Sequence, residues 1–172
     1  WDIIDLFAFD TINGCDEGLF VKFDFDKDFP AAPDGTPASK DFFAPMPSEC
    51  AVGNILYSWN YAFDTRAFDG KEPKTIKDFF NTKKFPGKRA IYKSALTNLE
   101  IALAADGVNM GKGGELLYRK LEAEGGIDRA MNKIKELCTD PNGGCVFWSA
   151  GAQPPELLVA GEVVMATGWN GR

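Results

Sequence analysis

The 172-residue chain contains no histidine. That removes Ser-His-Asp and Cys-His nucleophile systems, His-ligated zinc, and the side chain that ordinarily shuttles protons near neutral pH. A catalyst made from this chain would have to run on carboxylates, lysine, tyrosine or cysteine. Long apolar runs are missing too: none approaches the ~20 residues that a membrane-crossing helix needs, so no direct membrane insertion is expected. Positive charge is scarce. Nineteen Lys and Arg stand against 25 Asp and Glu, a net charge of -6, and no cation cluster marks a surface for phosphate backbones. No nucleic-acid partner is expected. The chain opens at Trp1 without a basic, apolar and small-residue leader, so a leader, if one existed, is expected to be gone already.

What remains is ordinary globular material, 45% hydrophobic and 26% charged, enough for one domain or two small ones. Its cysteines are an even set, at 15, 50, 138 and 145. Cys138 and Cys145 bracket Thr139-Asp-Pro-Asn-Gly-Gly144, a turn-forming insert that can bring the two sulfurs together. Closing so short a loop contributes about 2.5 kcal/mol in the chain-entropy model. Cys15 and Cys50 are the remaining pair. The spacing is not that of a zinc ribbon. Four free buried thiols in a reducing compartment stay open as the alternative, but the oxidising compartment is preferred.

Along the chain, a strand is expected at Ile3–Phe7, then a short helix from Thr11 to Glu17 stopped by Gly18, then an extended run at Leu19–Phe23. Residues 30–48 carry Pro30, Pro33, Pro37, Pro45 and Pro47 and read as a long surface connection. Ile55–Phe63 reads as a strand. Thereafter helices and strands alternate. Thr75 and Asp78 form a capping box opening a helix to Thr82, and Arg89–Tyr92 is a short strand. Thr97 and Glu100 form a second box before a helix bearing Leu99, Ala102 and Leu103. Gly114–Ala123 (apolar face Leu116, Leu117, Leu121) and Ile127–Leu137 (Ile127, Met131, Ile134, Leu137) are amphipathic helices. Val146–Trp148 is a strand, Pro154–Val159 a helix, and Glu162–Thr167 another strand. This alternation predicts an α/β fold with a mainly parallel sheet flanked by helices.

Two motifs fail on inspection. Asp24-Phe-Asp26-Lys-Asp28 starts like a calcium loop, but Phe29 and Gly35 stand where Gly and Glu are required. Gly107–Gly113 has phosphate-loop glycines at the wrong spacing and follows a helix, so it is a helix-to-helix turn. The aromatics say more. Trp59 and Tyr61 alternate along one strand, and Trp169 falls just after another, where an open α/β sheet presents side chains to a ligand crevice.

Three segments then occur in order: Cys50-Ala-Val-Gly-Asn-Ile-Leu-Tyr-Ser-Trp59, Pro73 to Arg89, and Ser149 to Arg172 with its Gly168-Trp-Asn-Gly-Arg172 ending. With Gly14 to Asp24 they resemble the spermidine/putrescine-type extracellular solute-binding proteins of ABC transporters. The resemblance implies a periplasmic-binding-protein-like (type II) lobe plus part of a second. Residues 1–52 would be the end of the first lobe, and residues 53–172 most of the second, ending at the hinge. It implies a part of a longer protein that is periplasmic or extracellular, no enzyme, and needs no cofactor and no metal. Its partners would be a small-molecule solute, clamped in an interlobe cleft, and the membrane permease. By position, Trp169, Asn170 and Arg172 match the hinge motif, Trp59 lies in the crossover strand, and Ser94 and Thr97 stand where a helix start faces the ligand. Polyamine binders place carboxylates at that helix start and after the hinge Trp. Here Lys93, Ser94, Thr97 and Arg172 stand instead, which favours a solute with an anionic or amide-like group over a bare polyamine. A carboxylate- or Cys-dependent α/β enzyme, and an interaction module derived from such a lobe, are the competing functions.

Overall fold

The computed structural model describes residues 2–42, 46 and 48–171. The chain divides into two compact units, Trp1–Leu56 and Tyr57–Arg172.

The first unit is sparsely ordered. It holds α1 (Ala8–Asp16), α2 (Phe25–Asp28) and a 3₁₀ turn at Ala38–Lys40. The strand expected at Ile3–Phe7 is not formed, and Ile3 is 90% exposed. A strand exists only against a partner that takes its N–H and C=O groups, and none is present among the described residues of this unit. The extended run at Leu19–Phe23 is not a strand either, although Phe23 N–H does reach the Glu49 carbonyl at 2.8 Å. Helix α1 starts three residues before Thr11. The Thr11 hydroxyl donates back to the Phe7 carbonyl at 3.0 Å, the habit of a residue inside a helix and not at its cap. Order comes instead from the Cys15–Cys50 disulfide and from packed rings, Phe23 with Phe29 at 5.1 Å and Phe25 with Phe42 at 5.7 Å. Pro45 and Pro47 of the proline-rich stretch lie outside the described residues.

The second unit is a layered α/β lobe. Its sheet has the order β1 (Trp59–Phe63), β4 (Met165–Trp169), β2 (Arg89–Tyr92), β3 (Cys145–Trp148). Strand β2 runs parallel to β3 and β4, and β1 runs antiparallel to β4. Alternation along β2 shows how the strands work: Ile91 packs with Phe79, Phe85, Leu137 and Met165, while Ala90 and Tyr92 pack with Trp148, Leu157 and Ala166. Helices α3 (Ile76–Phe80) and α6 (Gly126–Thr139) thus cover one face and α7 (Gln153–Val159) the other. Outside α6, Ala102 and Leu103 of α4 (Asn98–Ala105) and Leu117 of α5 (Glu115–Glu122) pack on Ala130.

Several local expectations shift. The Thr75–Asp78 capping box is formed as expected. The Thr97–Glu100 box is not: Thr97 stands at φ +69° and its side chain makes no cap bond. Asn98 organises this start instead, its amide donating to the carbonyls of Tyr92 at 2.6 Å and Ser94 at 2.7 Å. On α6 the buried line runs through Ala130, Ile134 and Leu137, because the small Ala130 lets α4 approach. Met131, about 100° further round, is 51% exposed, and Ile127 in the first turn is 54% exposed. Leu116 is exposed as well. Strand β1 begins at Trp59, and residues 55–57 are not part of a strand. Strand β4 begins only at Met165, because Glu162 and Val163 donate to the Leu157 carbonyl and tie the chain to the end of α7.

The Cys138–Cys145 disulfide joins α6 to β3, and no cysteine is free. Arg89 is entirely buried. Its guanidinium donates to the carbonyls of Phe79, Phe85 and Gly87, pinning the α3–β2 turn. Burial pulls its pKa down to about 10, with Asp140 pushing weakly the other way. At Gly87 (φ +120°) the backbone lies so close to Val164 that a Cβ would stand 2.7 Å from its methyl groups.

Candidate functional site

The three parallel strands each end in an aromatic residue: Tyr92 on β2, Trp148 on β3 and Trp169 on β4. Strand β1 runs the other way and begins with Trp59, which pairs with Trp169. All four rings therefore collect at one end of the sheet, the end where α/β folds bind ligands. Every pair of them is close. Tyr92 and Trp148 centroids are 4.7 Å apart, Trp148 and Trp169 5.2 Å, Trp59 and Tyr92 5.4 Å, and Trp59 and Trp169 5.5 Å. The other two pairs are at 5.8 Å. Tilted and edge-on contacts of this kind add about 0.5–1.5 kcal/mol per pair beyond area burial. Trp148 is the innermost ring; the other three are half-buried.

Two loops border the rings. Beyond the Trp59–Trp169 pair, Asn170 N–H donates to the Ser58 carbonyl at 3.1 Å, and Ser58 N–H donates to Asn170 Oδ1 at 2.9 Å. The asparagine side chain thus acts as a further rung of the β1–β4 ladder. On the other side, Lys93 N–H donates to the Trp148 carbonyl at 2.8 Å, continuing the β2–β3 ladder into the loop before α4. In that loop the Ser94 hydroxyl accepts from Leu96 N–H at 3.2 Å. A groove of about 200 Å³ runs between β1, β4 and α7, walled by Tyr61, Pro154, Leu158, Thr167 and Trp169. A second concavity, of about 370 Å³, lies by α6, but its walls are charged and its Arg129 is already paired with Asp106 at 2.6 Å.

Chemically, the strand-end site offers ring faces. These attract cations and apolar groups. Burial raises the Tyr57 phenol above its usual value and Tyr92 adds to it, while a hydrogen bond with Trp59 works the other way. Among the described residues no group of three His, Cys, Asp or Glu side chains is placed to hold a metal.

Of the residues singled out from sequence, Trp59 and Trp169 stand in the cluster, and Trp169 is the last residue of β4 and not a position beyond it. Asn170 adjoins them with its carbonyl oxygen engaged. Ser94 and Thr97 lie in the loop between β2 and α4, and Arg172 lies outside the described residues. Sequence reasoning missed Tyr92 and Trp148. The signal was available: each closes a strand read correctly, and the strand-end rule that selected Trp169 selects them as well.

Residues 1–172 match the family described as bacterial extracellular solute-binding protein. The chain is 40% identical, over all 172 residues, to a gamma-aminobutyric acid-binding protein of Pseudomonas aeruginosa, of which it covers 44%. Among solved structures, it resembles the PBP MotA from A. tumefaciens B6 in complex with glucopine at a TM-score of 0.73. That likeness has 31% identity and covers 98% of this chain and 47% of the other. A GABA receptor gives a TM-score of 0.72 and 31% identity, with 99% of this chain and 47% of the other covered. The chain therefore spans less than half the length of the relatives it matches. Its helix-flanked mixed sheet is the fold of these binding-protein lobes.

Proposed function

Because the chain belongs to the family of bacterial extracellular solute-binding proteins, we propose that it is the solute-capturing part of an ABC importer whose solute carries both an ammonium and a carboxylate. The family binds solutes and is not catalytic. The observation that carries the reading is the convergence of Trp59, Tyr92, Trp148 and Trp169 at one end of the sheet. Such rings hold an ammonium by cation–π attraction, worth about 0.5–2 kcal/mol each way the cation is shared.

The other end of the solute is assigned to the loop before α4 and to the hinge. Ser94 and Thr97 supply hydroxyls and Lys93 a positive charge, and Arg172 brings a planar fork suited to a carboxylate. Asn170 holds the hinge in place through Ser58. A polyamine fits these positions less well, since each buried ammonium without a carboxylate costs several kcal/mol. Relatives named for gamma-aminobutyric acid point the same way. In this reading residues 53–172 belong to the second lobe and residues 1–52 to the first. The cleft between the completed lobes holds the solute, and the closed form docks on a membrane permease outside the cytoplasm.

Calorimetric titration of the intact protein tests this. The expected outcome is binding of 4-aminobutanoate with little heat from putrescine or spermidine. Tight polyamine binding with carboxylate solutes silent overturns it.

A further inference from the structure

Trp148 carries an oddity that packing does not require. It is 1% exposed, and its indole Nε1 is buried with no acceptor among the described residues. Buried donors are nearly always paired, and one left orphaned costs stability. The packing that Trp148 contributes, against Ala90, Val163 and Ala166 and against three rings, needs only an apolar surface. The N–H group is therefore a burden on the fold.

The position of that burden is informative. Trp148 sits behind Trp59, Tyr92 and Trp169, which are half-buried and form the outer side of the cluster. Centroid separations of 4.7–5.8 Å leave no room for a solute between rings. With Trp148 1% exposed, a neighbouring group has to move for anything to reach Nε1.

Resting on the reading that the solute carries a carboxylate, we propose that Trp148 is a specificity determinant: its Nε1–H is donated to an oxygen of the solute once a neighbouring group shifts aside. A solute that brings an acceptor satisfies the donor. A diamine brings none, leaves the donor orphaned, and is rejected on that account. Sites that hydrogen-bond a substrate discriminate in this way far more strongly than apolar pockets do. The ring faces then hold the ammonium, and the carboxylate is shared, one oxygen on the inner indole and the other toward the loop before α4 and the hinge.

The decisive variant is Trp148→benzothienylalanine in the intact protein, a ring of the same shape with sulfur in place of N–H. Three readings are taken on wild type and variant: the thermal midpoint without solute, and the calorimetric affinities for 4-aminobutanoate and for putrescine. We expect an unchanged or higher midpoint, about tenfold or greater loss of 4-aminobutanoate affinity, and no change for putrescine. In wild type, the Trp148 indole proton resonance moves downfield on adding 4-aminobutanoate. Equal 4-aminobutanoate affinity in wild type and variant sinks the proposal and leaves the functional reading intact. A midpoint lowered by several degrees also sinks it, because the N–H then has an acceptor inside the protein. Wild type that fails to bind 4-aminobutanoate or other amino-carboxylates overturns the functional reading itself, and the role of Trp148 with it.

Discussion

Trp59 and Trp169 are paired across the β1–β4 ladder, the first residue of one strand opposite the last residue of the other, with ring centroids 5.5 Å apart. One step further on, Ser58 and Asn170 close the ladder through a side chain where a backbone carbonyl would ordinarily serve. The ladder that sets the tryptophan pair is thus extended past it by one asparagine oxygen.

Replacing that oxygen tests its contribution. Asn170→Ala is expected to cost about 1 kcal/mol of stability, a typical net value for one hydrogen bond, and to weaken solute binding several-fold by loosening Trp169. Asn170→Asp keeps the acceptor and should retain most of both. Thermal melts and calorimetry on the two variants check this.

Arg89 is expected to be indispensable to the lobe. Arg89→Met removes the donors to Phe79, Phe85 and Gly87, and each buried carbonyl left unpaired costs about 1–3 kcal/mol. Denaturant unfolding should show a loss of about 3 kcal/mol or more, and Arg89→Lys should recover only part of it, since an ammonium does not reproduce the fork.

Acid sensitivity has a local source in Asp64. Hydrogen bonds from the Arg66 side chain and backbone N–H hold its carboxyl down to about 2, well below the ordinary carboxylate value. A carboxylate depressed in the folded state stabilises fully above its unfolded pKa, and that stabilisation disappears as pH falls through the folded value. The difference in melting temperature between wild type and Asp64→Asn should be constant near neutrality and close as pH falls from about 4 to about 2.

The two disulfides should matter unequally. Cys15–Cys50 closes a separation of 35 residues and Cys138–Cys145 one of 7, about 4 against about 2.5 kcal/mol in the chain-entropy model. The first unit has few buried apolar side chains, while the second has three clusters. Hydrogen exchange on Cys15→Ser/Cys50→Ser should show protection lost over residues 2–56 and kept in β2 and β4. The unmodified protein should show no thiol reactive toward an aromatic disulfide reagent. High protection in residues 2–56 of the reduced protein would contradict this ranking.

Much of the second unit could be read from sequence because its signals are local. The Thr75–Asp78 box, the prolines opening α7 and the turn between Cys138 and Cys145 each specify their own few residues. Ile3–Phe7 shows the opposite case: β-branched and aromatic residues describe a strand, but the strand needs a partner that sequence pattern does not supply. Thr97 failed for a similar reason. A capping box assumes that Thr97 sets the helix entry, whereas Asn98 sets it by reaching back to Tyr92 and Ser94. The site was half legible. Trp169 stood out in the hinge motif and Trp59 in the crossover strand, while Tyr92 and Trp148 joined them only once the sheet order brought four distant strand ends together.

The crowding of those rings has an optical consequence. The chain has four tryptophans, and three of them, Trp59, Trp148 and Trp169, lie with ring centroids within 5.8 Å of one another. Indoles so close share their electronic excitations, so the ultraviolet circular dichroism should carry a coupled signal and the fluorescence should be partly quenched. Any event that parts one ring from the others changes both. In the proposed reading of the site, the protein thus carries its own unlabelled reporter of solute capture.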